Sequence, residues 1–305
     1  MRVLVTGASG FIGEVLCEEL RRRGHAVSAL VRRAGSEPPG TRAVAGDLGD
    51  GPRLTRALEE ERPDCVMHLA AEIASQRSAR KIHEVNVRGT ERLRDACLAA
   101  AGADRGSAPR VVFCSTVVTG DPRGALLTEE EPLPVETPYG RSKQEGERIL
   151  LQSGLPSVVI RPSHVYGPGG WYEHDLIAQL RRPGRFAVIG SGENLWDVVH
   201  VDDVVEALVL AAESAPTGSI YHVADDEPIS FYDFMALTAR SVGTGPPRRV
   251  PVALARVVAG ANAVDAVVRS ARSSNAKIKR ELGWRPRFAG AGEGVVDAVS
   301  RLRAA

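Results

Sequence analysis

Through about the first half of the chain, short apolar runs rich in β-branched residues alternate with longer stretches whose apolar residues recur at helical spacing. The short runs Val3–Thr6, Ala26–Val31, Arg42–Ala45, Cys65–Leu69, Val111–Ser115 and Ser157–Arg161 are bounded by Gly, Asp and Pro, which marks them as strands. Between them, Glu14–Arg23, Leu54–Glu61, Lys81–Ala101 and Tyr139–Gln152 carry the period of helices. Strand–helix alternation of this kind builds βαβ units, and the order predicts a doubly wound, parallel α/β sheet. The Gly-, Ala- and Ser-rich stretch Gly102–Pro109 reads as a surface loop.

From about Tyr166 the alternation weakens. Helical patterns at Val204–Glu213, Phe231–Val242 and Ala253–Val268 no longer take turns with strands. The expected division is a nucleotide-binding domain over residues 1–165 and a smaller, mainly substrate-binding part over 166–305, with some return of chain to the sheet. Lys and Arg total 39 against 38 Asp and Glu, so charge gives no reason to expect nucleic acid or an anionic membrane as partner. The apolar stretch Val250–Val268 is interrupted by Arg256, Asn262 and Asp265, which favours an amphipathic helix covering a pocket over a membrane span. Cys17, Cys65, Cys97 and Cys114 lack metal-ligand spacing and are expected as reduced core thiols. A first strand starting at Arg2 or Val3 leaves no room for a signal peptide, and a cytoplasmic protein without a metal is the expectation.

The candidate chemistry begins at the first strand. Gly7, Gly10 and Gly13 follow it directly, in the spacing G-x-x-G-x-x-G, and with Phe11 and Ile12 open the first helix. Glycines there permit a tight turn and close approach of a pyrophosphate to backbone amides, while the helix N-terminus favours negative charge, as in a Rossmann-type fold. At the end of the second strand, Val31 stands where an NAD-selective protein commonly places a carboxylate, and Arg32 and Arg33 follow. A guanidinium there suits a 2′-phosphate, so NADP(H) is preferred, with NAD(H) the alternative cofactor. Asp47 and Leu48 after the third strand, and Leu69, Ala70 and Ala71 after the fourth, complete the expected dinucleotide edge. His68 reads as a packed strand residue.

Tyr139 and Lys143 stand four apart at the start of a helix and therefore share a face. The lysine is expected to lower the phenol's pKa and to bind the nicotinamide ribose, with Tyr139 passing a proton to or from the reacting oxygen. Ser115, at the end of the fifth strand, is placed to hydrogen-bond that oxygen, with Thr116 as a lesser candidate. The order of phosphate turn, strand-end serine and helical Tyr-Lys is more specific than any of its parts.

On these residues the chain resembles the extended short-chain dehydrogenase/reductases of the NAD-dependent epimerase/dehydratase type, and the resemblance covers nearly the whole chain. Asn86–Thr90, Arg161–Pro168, Val199–Asp203 and Leu282–Pro286 match family blocks in order. The resemblance implies catalytic roles for Ser115, Tyr139 and Lys143, places Pro162 and Val165 near the nicotinamide, and makes a homodimer a further expectation. The chain departs from the nucleotide-sugar members in having Trp196-Asp197 where an Arg-Asp pair is usual, His164 where asparagine is frequent, and Thr116-Val117 where dehydratases carry Asp-Glu. Arg269 and Arg272 are candidates to replace the missing phosphate clamp, or else solvated arginines on a helix face. With Trp171 and Trp196 as aromatic substrate candidates, the expected activity is NADP(H)-dependent reduction of a cyclic or aromatic ketone. A nucleotide-sugar epimerase or 4-ketoreductase is the second reading, and a non-catalytic dinucleotide sensor the third.

Overall fold

A computed structural model describes residues 1–73, 76–104, 108–182 and 186–304 of the chain. Seven strands form one sheet: β1 (Arg2–Thr6), β2 (Ala26–Val31), β3 (Arg42–Ala45), β4 (Cys65–His68), β5 (Arg110–Cys114), β6 (Ser157–Pro162) and β7 (Ile220–Val223), in the order β7-β6-β5-β4-β1-β2-β3. The order reverses direction beside β1, which lies between β2 and β4 and pairs in parallel with both. Such a reversal is the switch point at which doubly wound sheets bind ligands. The expected fold class is the observed one, a Rossmann-like parallel sheet with flanking helices.

The strands are legible because they are covered on both faces, so their apolar runs are continuous. β5 is half-buried at Arg110 and buried from Val111 onward. Their side chains join those of the helices α1 (Phe11–Arg22), α2 (Gly51–Glu61), α3 (Gly89–Asp104) and α4 (Pro138–Leu151) around the sheet. One core cluster holds Leu4, Leu54, Val66, Leu93, Phe113 and Val159. All four cysteines are buried and free. β7 went unread in the sequence, since Ile220-Tyr-His-Val is only four residues long and has a polar residue in its middle.

The chain folds into two compact units: residues 1–116, 138–161 and 205–221 in the first, and 117–137, 162–204 and 222–304 in the second. The first holds most of the sheet. The second is built on an aromatic cluster that includes Tyr166, Tyr172, Trp196, Phe231 and Phe234, with short strand pairs such as His164–Tyr166 beside Val198–His200. Three expected elements differ from the structure, one being the helix over Lys81–Ala101, which is a short helix, Ala79–Ile82, and a π-helical stretch, His83–Arg88, before α3. The single helix over Ala253–Val268 is two, Val252–Ala259 and Ala261–Val268, because Gly260 takes φ +86° and breaks the hydrogen-bond ladder between them. The expected loop over Gly102–Pro109 begins later, since α3 runs on to Asp104; residues 105–107 lie outside the described residues. No helix among the described residues is long and apolar enough to cross a membrane.

Candidate active site

The turn after β1 is built for glycine. Gly7 has φ +72°, and a Cβ on it would lie 2.6 Å from the Ala70 amide nitrogen. A Cβ on Gly13 would collide with the Gly7 carbonyl oxygen, and the Gly10 amide closes the turn by donating to that same oxygen at 3.0 Å. Gly10 supplies no side-chain cap to α1, so the first-turn amides, those of Phe11 and Ile12 among them, are left for an outside acceptor. A pyrophosphate fits these requirements in charge and in the closeness of approach that the glycines allow.

The floor of this edge is fixed by a chain of hydrogen bonds. The Thr90 hydroxyl donates to the Asn86 carbonyl oxygen at 2.6 Å, so His68 Nε2, 2.9 Å from the same hydroxyl oxygen, must carry the proton it donates. His68 Nδ1 then accepts from the Thr6 hydroxyl at 2.8 Å, whose oxygen accepts from the Ala70 amide at 3.2 Å. Every group in the chain is satisfied with a neutral imidazole, and burial pushes the His68 pKa down to about 3. His68 is therefore a strut between β1, β4 and α3, as its sequence context implied. Leu69, Ala70 and Ala71 follow it, half-buried. Asp47 is exposed and accepts the Gly49 amide at 2.6 Å, while the Leu48 side chain packs into the core. Arg32 and Arg33 are exposed after β2; Glu72, held below the usual carboxylate range chiefly by its bond with Lys81 and then by Gln76, also feels Arg32.

Asn86 was not singled out as a site residue. It lies in a π-helical stretch, His83–Arg88, that leads into α3; such local widenings of a helix often mark functional sites. Its side chain accepts the Glu72 amide at 2.7 Å and donates to the Glu72 carbonyl and to the Ser142 hydroxyl, each at 2.9 Å. Ser142 in turn donates to the Tyr139 carbonyl at 2.7 Å. The segment after β4 is thereby tied to the first turn of α4. Asn86 stood in a block matched to the family, but its partners are 14 and 56 residues away and no local pattern names them.

Tyr139 and Lys143 occupy successive turns of α4. Gly146 lets this helix sit on Phe113, whose ring a Cβ would meet at 2.8 Å. Lys143 is 2% exposed, with Nζ 4.2 Å from the centroid of the same ring. Burial pushes its ammonium down to about 8, while Cys114 and Glu147 act in the opposite sense. The Tyr139 phenol lies above its ordinary range, because burial and Cys114 both disfavour the phenolate. The expected lowering by Lys143 is not observed in the protein alone, where burial raises the phenol instead. Ser115 is buried, and its hydroxyl donates to Glu147 Oε1. Arg161 clamps the same carboxylate through Nε at 2.9 Å and an Nη at 2.6 Å. To donate to a substrate oxygen, Ser115 must turn away from Glu147. Thr116 follows it and is also buried.

The remaining candidates lie in the second unit. Pro162 ends β6, and Val165 is half-buried with its carbonyl accepting the Trp171 indole N–H at 2.8 Å. Trp196 is a core residue: it is 4% exposed, packs on Phe231 and donates to the Val267 carbonyl. His164 stacks flat on it, with ring centroids 4.3 Å apart. Arg269 is neither a phosphate clamp nor a solvated helix residue. It follows the helix Ala261–Val268, is 1% exposed, and spends its guanidinium on Asp197 and on the Gly120 and Val117 carbonyls. Burial alone would raise the Asp197 carboxyl, but His164, Arg269 and Ser273 hold it below the usual range. Arg272 is exposed and donates to the Gly124 carbonyl. His200, Asp202 and Asp297 form a cluster of metal-ligating residue types, yet Arg287 and Arg301 already pair with both carboxylates.

Known proteins match this chain over its length. A 3-diazoavenalumate denitrifying reductase from Streptomyces sp is 35% identical over 299 residues, spanning 94% of this chain and 96% of that protein. A 4-hydroxy-2-methyl-3-oxo-4-farnesyl-3,4-dihydroquinoline-1-oxide ketoreductase from Stigmatella aurantiaca is 33% identical, spanning 80% of this chain and 74% of that one. Among solved structures, the UDP-glucose 4-epimerase of Thermus thermophilus in complex with NAD superposes with a TM-score of 0.81 at 29% identity and covers 100% of both chains. The profile of the NAD dependent epimerase/dehydratase family matches residues 3–224, which carry β1 to β7, the glycine turn and the Ser115, Tyr139 and Lys143 positions. The chain belongs to the NAD dependent epimerase/dehydratase family and is an NAD(P)-dependent oxidoreductase of the short-chain dehydrogenase/reductase type.

Proposed function

We propose that the protein is an NADP(H)-dependent reductase that acts on a cyclic or aromatic ketone with Ser115, Tyr139 and Lys143. The observation that carries this reading is Lys143, a lysine 2% exposed one helical turn from Tyr139. Burying an ammonium is costly, and a perturbed lysine beside a phenol is a feature of acid–base sites rather than of packing. The glycine turn, with Ala70 and Ala71, would hold the dinucleotide, and Arg32 and Arg33 would select its 2′-phosphate. When bound, the dinucleotide supplies the hydride. Tyr139 gives its phenolic proton to the carbonyl oxygen, and Ser115, turned from Glu147, donates a hydrogen bond to that oxygen. Lys143 favours the phenolate left behind. The second unit would carry the substrate determinants.

The commitment of Arg269 to Asp197 supports a ketone over a nucleotide sugar, since it leaves that guanidinium no role at a pyrophosphate. A second reading rests on the Ser115 donor being held by Glu147. The Streptomyces relative is named as a 3-diazoavenalumate denitrifying reductase, and reductive loss of nitrogen from a diazo compound needs no polarised carbonyl. A spectrophotometric screen of aromatic ketones and arene diazonium salts against NADPH and NADH, with UDP-sugars incubated with NAD+ and analysed by NMR for epimerised product, separates these readings. Ketone-dependent oxidation of NADPH supports the first. Turnover confined to the diazonium salts, or to UDP-sugars, overturns it.

A further inference from the structure

Tyr139, Lys143 and Glu147 are spaced at i, i+4 and i+8 on α4 and so share one helix face. Glu147 is 4% exposed, and its carboxylate has two buried partners besides the helix. Arg161 on β6 binds it in a fork, and Ser115, just past β5, donates its hydroxyl to it. An ion pair that only tied α4 to β6 would not need a third partner from the strand end that carries the catalytic serine. We propose that Glu147 is a positioning residue of the reductase, holding the Ser115 hydroxyl in its resting orientation and supplying the standing negative charge that Lys143 faces. The proposal rests on the reading of Ser115, Tyr139 and Lys143 as the reacting groups.

The groups around Lys143 support the electrostatic half of this role. His68 on β4 is neutral, its pKa pushed down to about 3, and Phe113 presents only its ring. Burial pushes the Cys114 thiol up and burial likewise raises the Tyr139 phenol, so both are uncharged near neutral pH. Glu147 remains as the anion beside Lys143, and Arg161 fixes the carboxylate in place. Burial has already lowered Lys143 to about 8. Removing the anion lowers it further, so the ammonium is lost at lower pH. The other half concerns Ser115. A carboxylate acceptor holds the hydroxyl inward until a substrate oxygen competes for its proton, and a neutral amide holds it less well.

Glu147→Gln, which keeps shape and removes charge, tests both halves. NADPH is the probe, titrated by fluorescence quenching between pH 6 and 9, because Lys143 binds the cofactor ribose in this reading. In Glu147→Gln the alkaline loss of NADPH affinity should move to lower pH by about half a unit or more. Turnover on whichever ketone the screen identifies should fall at least tenfold in kcat, with KM within twofold and the alkaline limb of the profile shifted in the same direction. A structural brace would lower the melting temperature without moving either pH profile. Should Glu147→Gln fail to fold because the buried Arg161 charge is left uncompensated, the double variant Glu147→Gln/Arg161→Met removes both charges and is measured in the same way. Profiles and kcat that superimpose on wild type in a folded variant overturn the proposal. Tyr139→Phe, run in parallel, separates the two ideas: if it is inactive while Glu147→Gln is normal, only the role of Glu147 fails, and if both are normal the site itself is wrong.

Discussion

Asp225 offers a test of how the second unit is held together. Its side chain is 6% exposed, and neither carboxylate oxygen completes a well-formed hydrogen bond among the described residues, although the Tyr166 hydroxyl and the His200 backbone lie close. Burial, with Asp203 and Asp226 as like charges nearby, pushes its pKa up to about 8. An acid whose folded pKa is raised gives its full stability below the ordinary carboxylate range and loses it as pH rises to the folded value. Other groups limit where this can be seen. His68 and His200, lowered to about 3 and about 4, destabilise the fold progressively as pH falls from about 7.5 through their ordinary 6.5. Asp203, raised to about 6, has given up most of its contribution by pH 6.5, and Lys143 begins to act as pH nears about 8. From pH 6.5 to 8 Asp225 removes about 1.6 kcal/mol of stability, while His68, His200 and Lys143 each return about 0.4 kcal/mol, so its part is read as the difference between wild type and a variant without the carboxyl. Urea unfolding of both proteins, followed by tryptophan fluorescence at the two ends, reads that difference. Asp225→Asn carries no proton to lose and should gain about 1.6 kcal/mol on wild type between the two ends, finishing the more stable of the two at pH 8. An equal change in both proteins would refute the assignment to Asp225.

Three further outcomes follow from the geometry. Gly7→Ala should weaken NADPH binding at least tenfold in a fluorescence titration, because its Cβ would press on the Ala70 amide at a backbone φ of +72°; unchanged affinity would contradict the cradle. Arg32→Ala should weaken NADPH by roughly 10-fold or more, from loss of a charge-assisted bond of about 1.5–3 kcal/mol, and leave NADH nearly unaffected in calorimetry. A wild-type preference for NADH would overturn the cofactor assignment. Arg269→Met should cost about 3 kcal/mol in urea unfolding by leaving Asp197 buried beside fewer donors, and a neutral result would place the ion pair among those of no net value.

The parts of this protein legible in its sequence are those governed by local rules. Strands covered on both faces leave continuous apolar runs, and a glycine turn between strand and helix admits few substitutes, so β1 to β6 and the cradle could be read directly. Tyr139 and Lys143 were readable because a helix turns a spacing of four into proximity. What the sequence hides depends on partners far along the chain or on a rotamer. Arg269 reads like a surface arginine, and only the fold brings it to Gly120, 149 residues earlier. Ser115 sits where expected, but nothing local says that its hydroxyl turns toward Glu147. Trp196 reads as a ligand-binding aromatic and proves to be core, since its other neighbours, Phe231 and Phe234, arrive from a later helix. β7 is too short to show a period at all.

In the proposed reaction Tyr139 is the group that moves the proton when hydride is transferred. Single-turnover transfer of deuterium from [4-2H]NADPH to an identified ketone, followed by mass spectrometry, measures that step in wild type and Tyr139→Phe. Deuterium should reach the carbinol carbon in wild type, and loss of the hydroxyl should slow its arrival by roughly 100-fold to 10,000-fold, with NADPH affinity unchanged. Deuterium transfer at the wild-type rate in Tyr139→Phe would contradict the account.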